Sequence, residues 1–156
     1  MKELKNLKYI ILEIIPTNSD PKKGNIAQIS ALKLDGFKLI DRFDYRLDKD
    51  KINVFDILKI INYDNDKFKY LSSTRKIKKE FKKFIGRLPL LIIDNSYTYK
   101  YLEEFNNEKI PVFDYLNLKL SDTVFDEMIK KYNLESSNYL VDLLYEALIM
   151  EYNYES

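Results

Sequence analysis

The chain has 156 residues, 46% of them hydrophobic, which is enough for one domain with a continuous core. Its 26 basic and 25 acidic residues nearly cancel, so no overall field attracts nucleic acid or an anionic membrane. The sequence contains no cysteine and no histidine, which excludes disulfides, thiolate nucleophiles, imidazole bases and imidazole metal ligands. Any chemistry must therefore rest on carboxylates, lysine, tyrosine or a bound metal.

The first third of the chain predicts an antiparallel meander. Residues 9–15 are apolar at every position except Glu13, which is typical of a strand covered on both faces. A second strand over 26–34 and a third over 37–47 follow, with Asp35-Gly36 as the hairpin signal between them. Because the third strand is rich in Asp, Arg and Lys, we expect it to form the edge of the sheet.

The rest of the chain predicts alternating helices and short strands. Residues 48–72 predict only a short apolar helix or turn around residues 54–61 and then a polar connection. Ser72, Ser73 and Thr74 offer N-caps for a helix that ends near Gly86 and Pro89. The later elements are a strand over 90–93, a helix over 97–105, a strand over 110–113, and helices over 122–132 and 138–152. This order predicts one α/β domain over residues 1–156, with a five-stranded mixed sheet flanked by helices.

The start of the sequence gives no targeting signal. Residues 1–8 are charged, and the apolar stretch that follows is too short for a signal peptide or a membrane span. We therefore expect a cytoplasmic protein with no membrane partner.

Three stretches place polar or acidic residues in a recognisable order. They are Leu12-Glu13-Ile14-Ile15-Pro16-Thr17-Asn18, Asp94-Asn95-Ser96-Tyr97-Thr98-Tyr99 and Ser137-Asn138-Tyr139-Leu140-Val141-Asp142. The second strand also contains Ile26-Ala27-Gln28-Ile29-Ser30-Ala31. Together with the order of elements, these stretches resemble the DEDD superfamily of 3′-5′ exonucleases, which includes proofreading subunits and RNase T. The resemblance spans nearly the whole chain and implies an RNase H-like fold.

The resemblance also implies where a catalytic set would lie, and most of that set is replaced. Asp142 matches the final carboxylate, and Glu13 stands in place of the first Asp. The other family positions hold Ile15 for a Glu, Tyr99 for an Asp and Ser137 for the catalytic His. The tyrosine-based branch of the superfamily is not matched either, because Asn138 occupies the position of its tyrosine.

These replacements predict little or no catalysis. Phosphodiester cleavage with two metal ions needs several carboxylates around the ions. We expect no cofactor, with Mg²⁺ or Mn²⁺ bound only if residual nuclease activity exists, and then by Glu13, Asp142 and Asp94. Each residue has a structural alternative: a paired strand carboxylate for Glu13, a solvated helix residue for Asp142, an N-cap for Ser137 and packing for Tyr99.

Basic and aromatic residues suggest a partner. Lys76, Lys79 and Lys83 lie on a lysine-rich helix, and Asn95 and Tyr97 lie beside the expected cleft, so these five could contact single-stranded DNA or RNA. A solvated helix face is the alternative for the lysines.

Three functions remain open. The leading hypothesis is a degenerate exonuclease-like domain that acts as a nucleic-acid-binding or scaffolding module. The alternatives are an active nuclease with a nonstandard site of Glu13, Asp94 and Asp142, and an adaptor or inhibitor that binds a protein partner or forms a homodimer.

Overall fold

The computed structural model describes residues 4–17, 20, 22, 25–48, 68–92, 98, 100–102, 122–134 and 140–155. A single 3-10 turn over Leu4–Asn6 precedes the first strand. The strands are β1 (Lys8–Pro16), β2 (Ile26–Asp35), β3 (Lys38–Leu47), β4 (Lys69–Leu71) and β5 (Leu90–Leu91). The helices are α1 (Thr74–Ile85), α2 (Asp122–Lys131) and α3 (Leu140–Glu155).

The strands form one mixed sheet of five strands in the order β4-β3-β2-β1-β5. β1, β2 and β3 form the antiparallel meander that the sequence predicts. β5 lies parallel to β1, with Ile10 opposite Leu90, and β4 lies parallel to β3, with Tyr45 opposite Lys69. The predicted α/β class with a five-stranded mixed sheet is therefore confirmed at this level.

The prediction that β3 forms the edge of the sheet is wrong. β4 pairs with the last residues of β3, Tyr45 to Leu47, and takes the edge position itself. The sequence does not predict β4 because three residues are too few to show a period. The predicted strand over 110–113 and most of the predicted helix over 97–105 lie outside the described residues.

β1 is covered on both faces because alternate side chains point to opposite sides of the sheet. Ile10, Leu12 and Ile14 belong to the apolar cluster that contains Ile77 and Phe81 of α1. On the opposite side, Tyr9 and Ile11 belong to the cluster that contains Phe125 of α2 and Leu144 of α3. We refer to these two sides as the α1 face and the α3 face of the sheet.

The helices begin and end close to the predicted positions. Ser73 caps α1, its side chain accepting a hydrogen bond from the backbone N–H of Lys76 at 3.2 Å, and Gly86 follows the last turn. α2 ends one residue before its predicted end, whereas α3 begins two residues later than predicted and extends to Glu155. In the part of the chain that the structure describes, no helix is long and apolar enough to cross a membrane.

The turn between β2 and β3 depends on Gly36. Its φ is 62°, in the left-handed region that favours glycine. Its N–H donates to the carbonyl oxygen of Leu7 at 2.8 Å. A Cβ at this position would lie 2.7 Å from the carbonyl oxygen of Lys5, so the turn packs too closely on the preceding chain for any side chain.

We predict that Gly36→Ala destabilises the fold by about 2 kcal/mol or more, because it adds a backbone clash to left-handed strain. Gly86→Ala is the matched control, since Gly86 has a φ of 53° but no atom within 4 Å of the added Cβ. The ψ of Gly86 is −116°, outside the left-handed helical region, so its loss comes from backbone strain alone and should be about 1–3 kcal/mol. Urea unfolding measures both variants, and a loss below about 1 kcal/mol for Gly36→Ala would show that the contact with Lys5 is unimportant.

Candidate functional site

A band of polar side chains crosses the α3 face of the sheet. Glu13 lies opposite Ser30, which lies opposite Asp44 on β3. In the next row, Gln28 lies opposite Arg46. We call these five residues the polar band. By strand alternation they share the α3 face with Ile11 and Leu32, which pack in the α3-face cluster.

Arg46 is the most deeply buried charge of the polar band, with no exposed surface. Its Nε donates to Oε1 of Gln28 at 2.8 Å, and its guanidinium carbon lies 3.7 Å from the ring centroid of Phe68. Gln28 in turn donates from Nε2 to Oγ of Ser30 at 3.4 Å. The hydrogen bond and the aromatic face offset part of the cost of burying this charge.

Arg42 joins the sheet to the first turn of α3. Its Nη1 and Nη2 donate to the two carboxylate oxygens of Asp142 at 2.7 and 3.2 Å. Its Nε donates to Oδ2 of Asp44 at 2.9 Å. The pKa of Arg42 is raised, first by the hydrogen bond to Asp142 and then by Asp44, against the opposing effect of burial. One guanidinium thus neutralises two carboxylates by forked pairing.

Glu13 lies at the other end of the Glu13–Ser30–Asp44 row. Burial raises its pKa from 4.5 to about 7. The cause is the loss of solvation of the charged form. At neutral pH the side chain is therefore protonated in a large fraction of molecules, and its negative charge is correspondingly reduced.

Of the predicted ligands, the two that the structure describes, Glu13 and Asp142, do not fit a divalent metal ion. Both oxygens of Asp142 and one oxygen of Asp44 already accept hydrogen bonds from a cation, and Glu13 is protonated in a large fraction of molecules at neutral pH. Mg²⁺ keeps several waters in a near-octahedral shell and takes one or two ionised carboxylates that are free to coordinate it. Among the described residues, no group of three or more acidic side chains is placed to hold a metal.

The structure places the predicted site residues in different parts of the fold. Ile15 is half-buried and packs against the α1-face cluster. Residues Asp94, Asn95, Tyr97, Tyr99 and Ser137 lie outside the described residues, so the predictions for them stay predictions.

The predicted metal ligand Asp142 and the predicted nucleic-acid-binding lysines lie on opposite sides of the sheet. Asp142 contacts the α3 face through Arg42. Lys76, Lys79 and Lys83 are exposed on α1, which packs against the other face. A nucleic-acid strand bound only by these lysines would therefore lie away from the carboxylates of Glu13 and Asp142.

Sequence reasoning missed Arg42, Asp44 and Arg46 as site residues. Their signal was present, since charged residues alternate with apolar or aromatic ones from residue 42 to residue 47. This period of two indicates one polar face and one apolar face. The expectation of an edge is wrong for these charges, because they lie on the α3 face, where Arg42 binds Asp44 and Asp142 and Arg46 binds Gln28.

Comparison with known proteins does not identify a family for this chain. No protein-family model matches the chain, and the search of curated proteins finds no match. Function must therefore be inferred from the residues and their arrangement.

We predict that Glu13→Gln stabilises the protein above neutral pH. In the unfolded chain Glu13 ionises near pH 4.5 and in the folded protein near pH 7, so the folded state binds the extra proton between these values. Stability from this group is present at low pH and falls as pH rises through that window. The variant should gain on the order of 1–3 kcal/mol at pH 8 and little at pH 4.

The measurement is urea unfolding of both proteins from pH 4 to pH 8.5. Glu80→Gln is the control, because Glu80 is also half-buried but sits on α1 with Lys83 3.5 Å away. A gain in the free energy of unfolding for Glu13→Gln that does not vary with pH would contradict the raised pKa of Glu13.

We predict that Asp142→Asn weakens the junction between β3 and α3. The side chains of Arg42 and Asp142 are 34% and 27% exposed, so solvent screens the pair and the loss should be about 1 kcal/mol. A double-mutant cycle with Arg42→Met measures their coupling. Asp126→Asn on the exposed side of α2 is the control, and coupling no larger than its effect would show that the pair is not stabilising.

Proposed function

We propose that this chain is an RNase H-like domain of the exonuclease type that binds nucleic acid without cleaving it. The observation that carries the proposal is the fork of Arg42 on Asp142 and Asp44. A fixed protein cation stands against the carboxylate that the resemblance assigns to metal binding. A guanidinium can neutralise that carboxylate but cannot activate water as a metal ion does.

The arrangement of the sheet supports the fold half of the proposal. The meander of β1, β2 and β3, with β5 parallel to β1, is the order that an RNase H-like fold implies for this chain. Glu13 faces the same side of the sheet as Asp142, the two positions that the resemblance relates. The cytoplasmic location and the single domain over residues 1–156 belong to the same proposal.

The outer surface of α1 supports the binding half. Lys76, Lys79 and Lys83 are exposed and spaced by three and four residues, so they line one side of the helix. Glu80 is the only acidic residue on this helix, and it lies 3.5 Å from Lys83. A row of ammonium groups of this kind attracts an extended polyanion by phosphate contacts without reading sequence.

One observation favours the alternative of an active nuclease. A carboxyl group with a pKa of about 7, as Glu13 has, is suited to proton transfer at neutral pH. That alternative requires a metal ion to displace Arg42 from Asp142, or ligands outside the described residues such as Asp94. Cleavage assays separate the two functions.

The test incubates the protein with end-labelled single-stranded DNA and RNA in Mg²⁺ and in Mn²⁺, and follows shortening and gel retention. We expect retention that weakens with salt and no shortening. The triple variant Lys76→Gln, Lys79→Gln and Lys83→Gln should lose about tenfold or more in affinity at low salt.

The matched control is Lys8→Gln, Lys38→Gln and Lys130→Gln, which removes the same charge from exposed positions elsewhere. Its affinity should change about twofold or less. Progressive shortening from the 3′ end by the wild type, abolished in Asp142→Ala, would overturn the proposal in favour of the nuclease. Neither shortening nor retention would instead favour an adaptor that binds protein.

A further inference from the structure

A groove of about 560 Å³ lies between α1 and β3, close to the first residue of β4. Its walls include three aromatic rings, Phe43, Tyr45 and Phe84. The ring centroids of Phe43 and Tyr45 lie 4.3 Å apart, and those of Phe43 and Phe84 lie 5.3 Å apart. Phe43 is buried, whereas Tyr45 and Phe84 are half-buried and present part of their surfaces. The volume is in the range of small-molecule sites.

Two lysines of the groove lie over these rings. Nζ of Lys33 is 4.5 Å from the ring centroid of Phe84, and Nζ of Lys69 is 5.8 Å from that of Tyr45. Lys33 lies directly opposite Asp41 in the sheet, yet its ammonium group lies over the ring. Neither lysine forms an ion pair with a carboxylate in the described part of the chain.

The acidic residues of the groove already have partners. Asp44 pairs with Arg42 at 2.9 Å, and Asp41 accepts a hydrogen bond from the backbone N–H of Arg42 at 2.8 Å. Glu80 lies 3.5 Å from Lys83. The backbone N–H does not cancel the charge of Asp41, so two lysine charges stand against this one carboxylate, and the remaining positive charge favours an anion.

From this juxtaposition we propose that the groove binds one nucleotide of a single nucleic-acid strand: the ammonium groups of Lys33 and Lys69 move from the rings to its phosphate, and its base takes their place against Tyr45 and Phe84. The inference rests on the proposed function and deepens it. Lys83 lines the groove and also belongs to the row of Lys76, Lys79 and Lys83 on α1. A nucleic-acid strand that leaves the groove therefore continues along that helix. This continuity favours a polymer of repeated phosphates over an isolated anion.

The position of the groove separates it from the remnant carboxylate site. Phe43, Tyr45 and Phe84 belong to or pack against the α1-face cluster, whereas Asp142 is held on the α3 face. A strand seated in the groove therefore engages a surface that the exonuclease resemblance does not assign. Base stacking in this mode tolerates any sequence, because every base presents a flat face.

The test measures the affinity of the protein for labelled oligo-dT and oligo-U of ten nucleotides, by fluorescence anisotropy over a series of salt concentrations. The double variant Lys33→Gln and Lys69→Gln should lower affinity about tenfold and make the salt dependence shallower by about one in logarithmic slope. The control, Lys8→Gln with Lys130→Gln, removes equal charge from exposed positions outside the groove and should change affinity about twofold or less.

Base stacking is tested separately with Tyr45→Leu, which should lower affinity about fivefold or more, and with Tyr45→Phe, which should restore it. Circular dichroism and urea unfolding show whether each variant is folded. An oligomer of the same length without bases should bind the wild type and Tyr45→Leu equally. If it binds the wild type as tightly as oligo-dT does, the groove does not stack a base and the proposal fails.

Two results distinguish failure of the groove from failure of the proposed function. If Lys76→Gln with Lys79→Gln abolishes binding while the groove variants bind normally, the groove proposal is overturned and nucleic-acid binding stands. If the wild type binds no oligomer at low salt, both are overturned. Displacement of the oligomer by decaglutamate at equal concentration, with no effect of Tyr45→Leu, would overturn the groove proposal in favour of an acidic polypeptide.

Discussion

Two arginines of β3 allow a polar band to cross a sheet that helices cover on both faces. Arg46 is fully buried against Gln28 and Phe68, and Arg42 holds Asp44 and Asp142 together. Burying an unpaired charge costs far more than burying a paired one, so removal of either guanidinium would leave polar groups without compensation. The position of α3 over the sheet depends on this pairing as well as on apolar contact.

The two faces of the sheet carry different electrostatics. On the α3 face Arg42 pairs with Asp44 and Asp142, and burial raises the pKa of the remaining carboxylate of the row, Glu13, so that it is partly protonated at neutral pH. On the α1 face the lysines of α1 point outward, and Lys33 and Lys69 lie over aromatic rings. The charges thus pair on the α3 face and stay positive on the outer surface of α1. This division is what the proposed function, binding without cleavage, requires.

Local patterns predicted the elements that have a period. The apolar run of β1, the Asp35-Gly36 turn between β2 and β3, and the capping residues of α1 all indicated the structure that forms. Pairing across the fold was not predictable in the same way. Arg42 and Asp142 are 100 residues apart, and the sequence around either residue does not indicate that the other is its partner. β4 has three residues and is formed by its contact with β3, so it carried no signal of its own.

The central place of β1 has a consequence during synthesis. The meander can form as soon as β3 is complete, but the other side of β1 pairs with Leu90 and Leu91, which are made much later. Until then an apolar, β-prone strand has a bare edge, the usual starting point of aggregation. In that unfinished chain Glu13 is exposed to water and ionised at neutral pH. The Glu13 carboxylate, which is partly protonated in the finished fold, is thus charged in the unfinished chain. There its charge opposes aggregation of β1 until β5 is made.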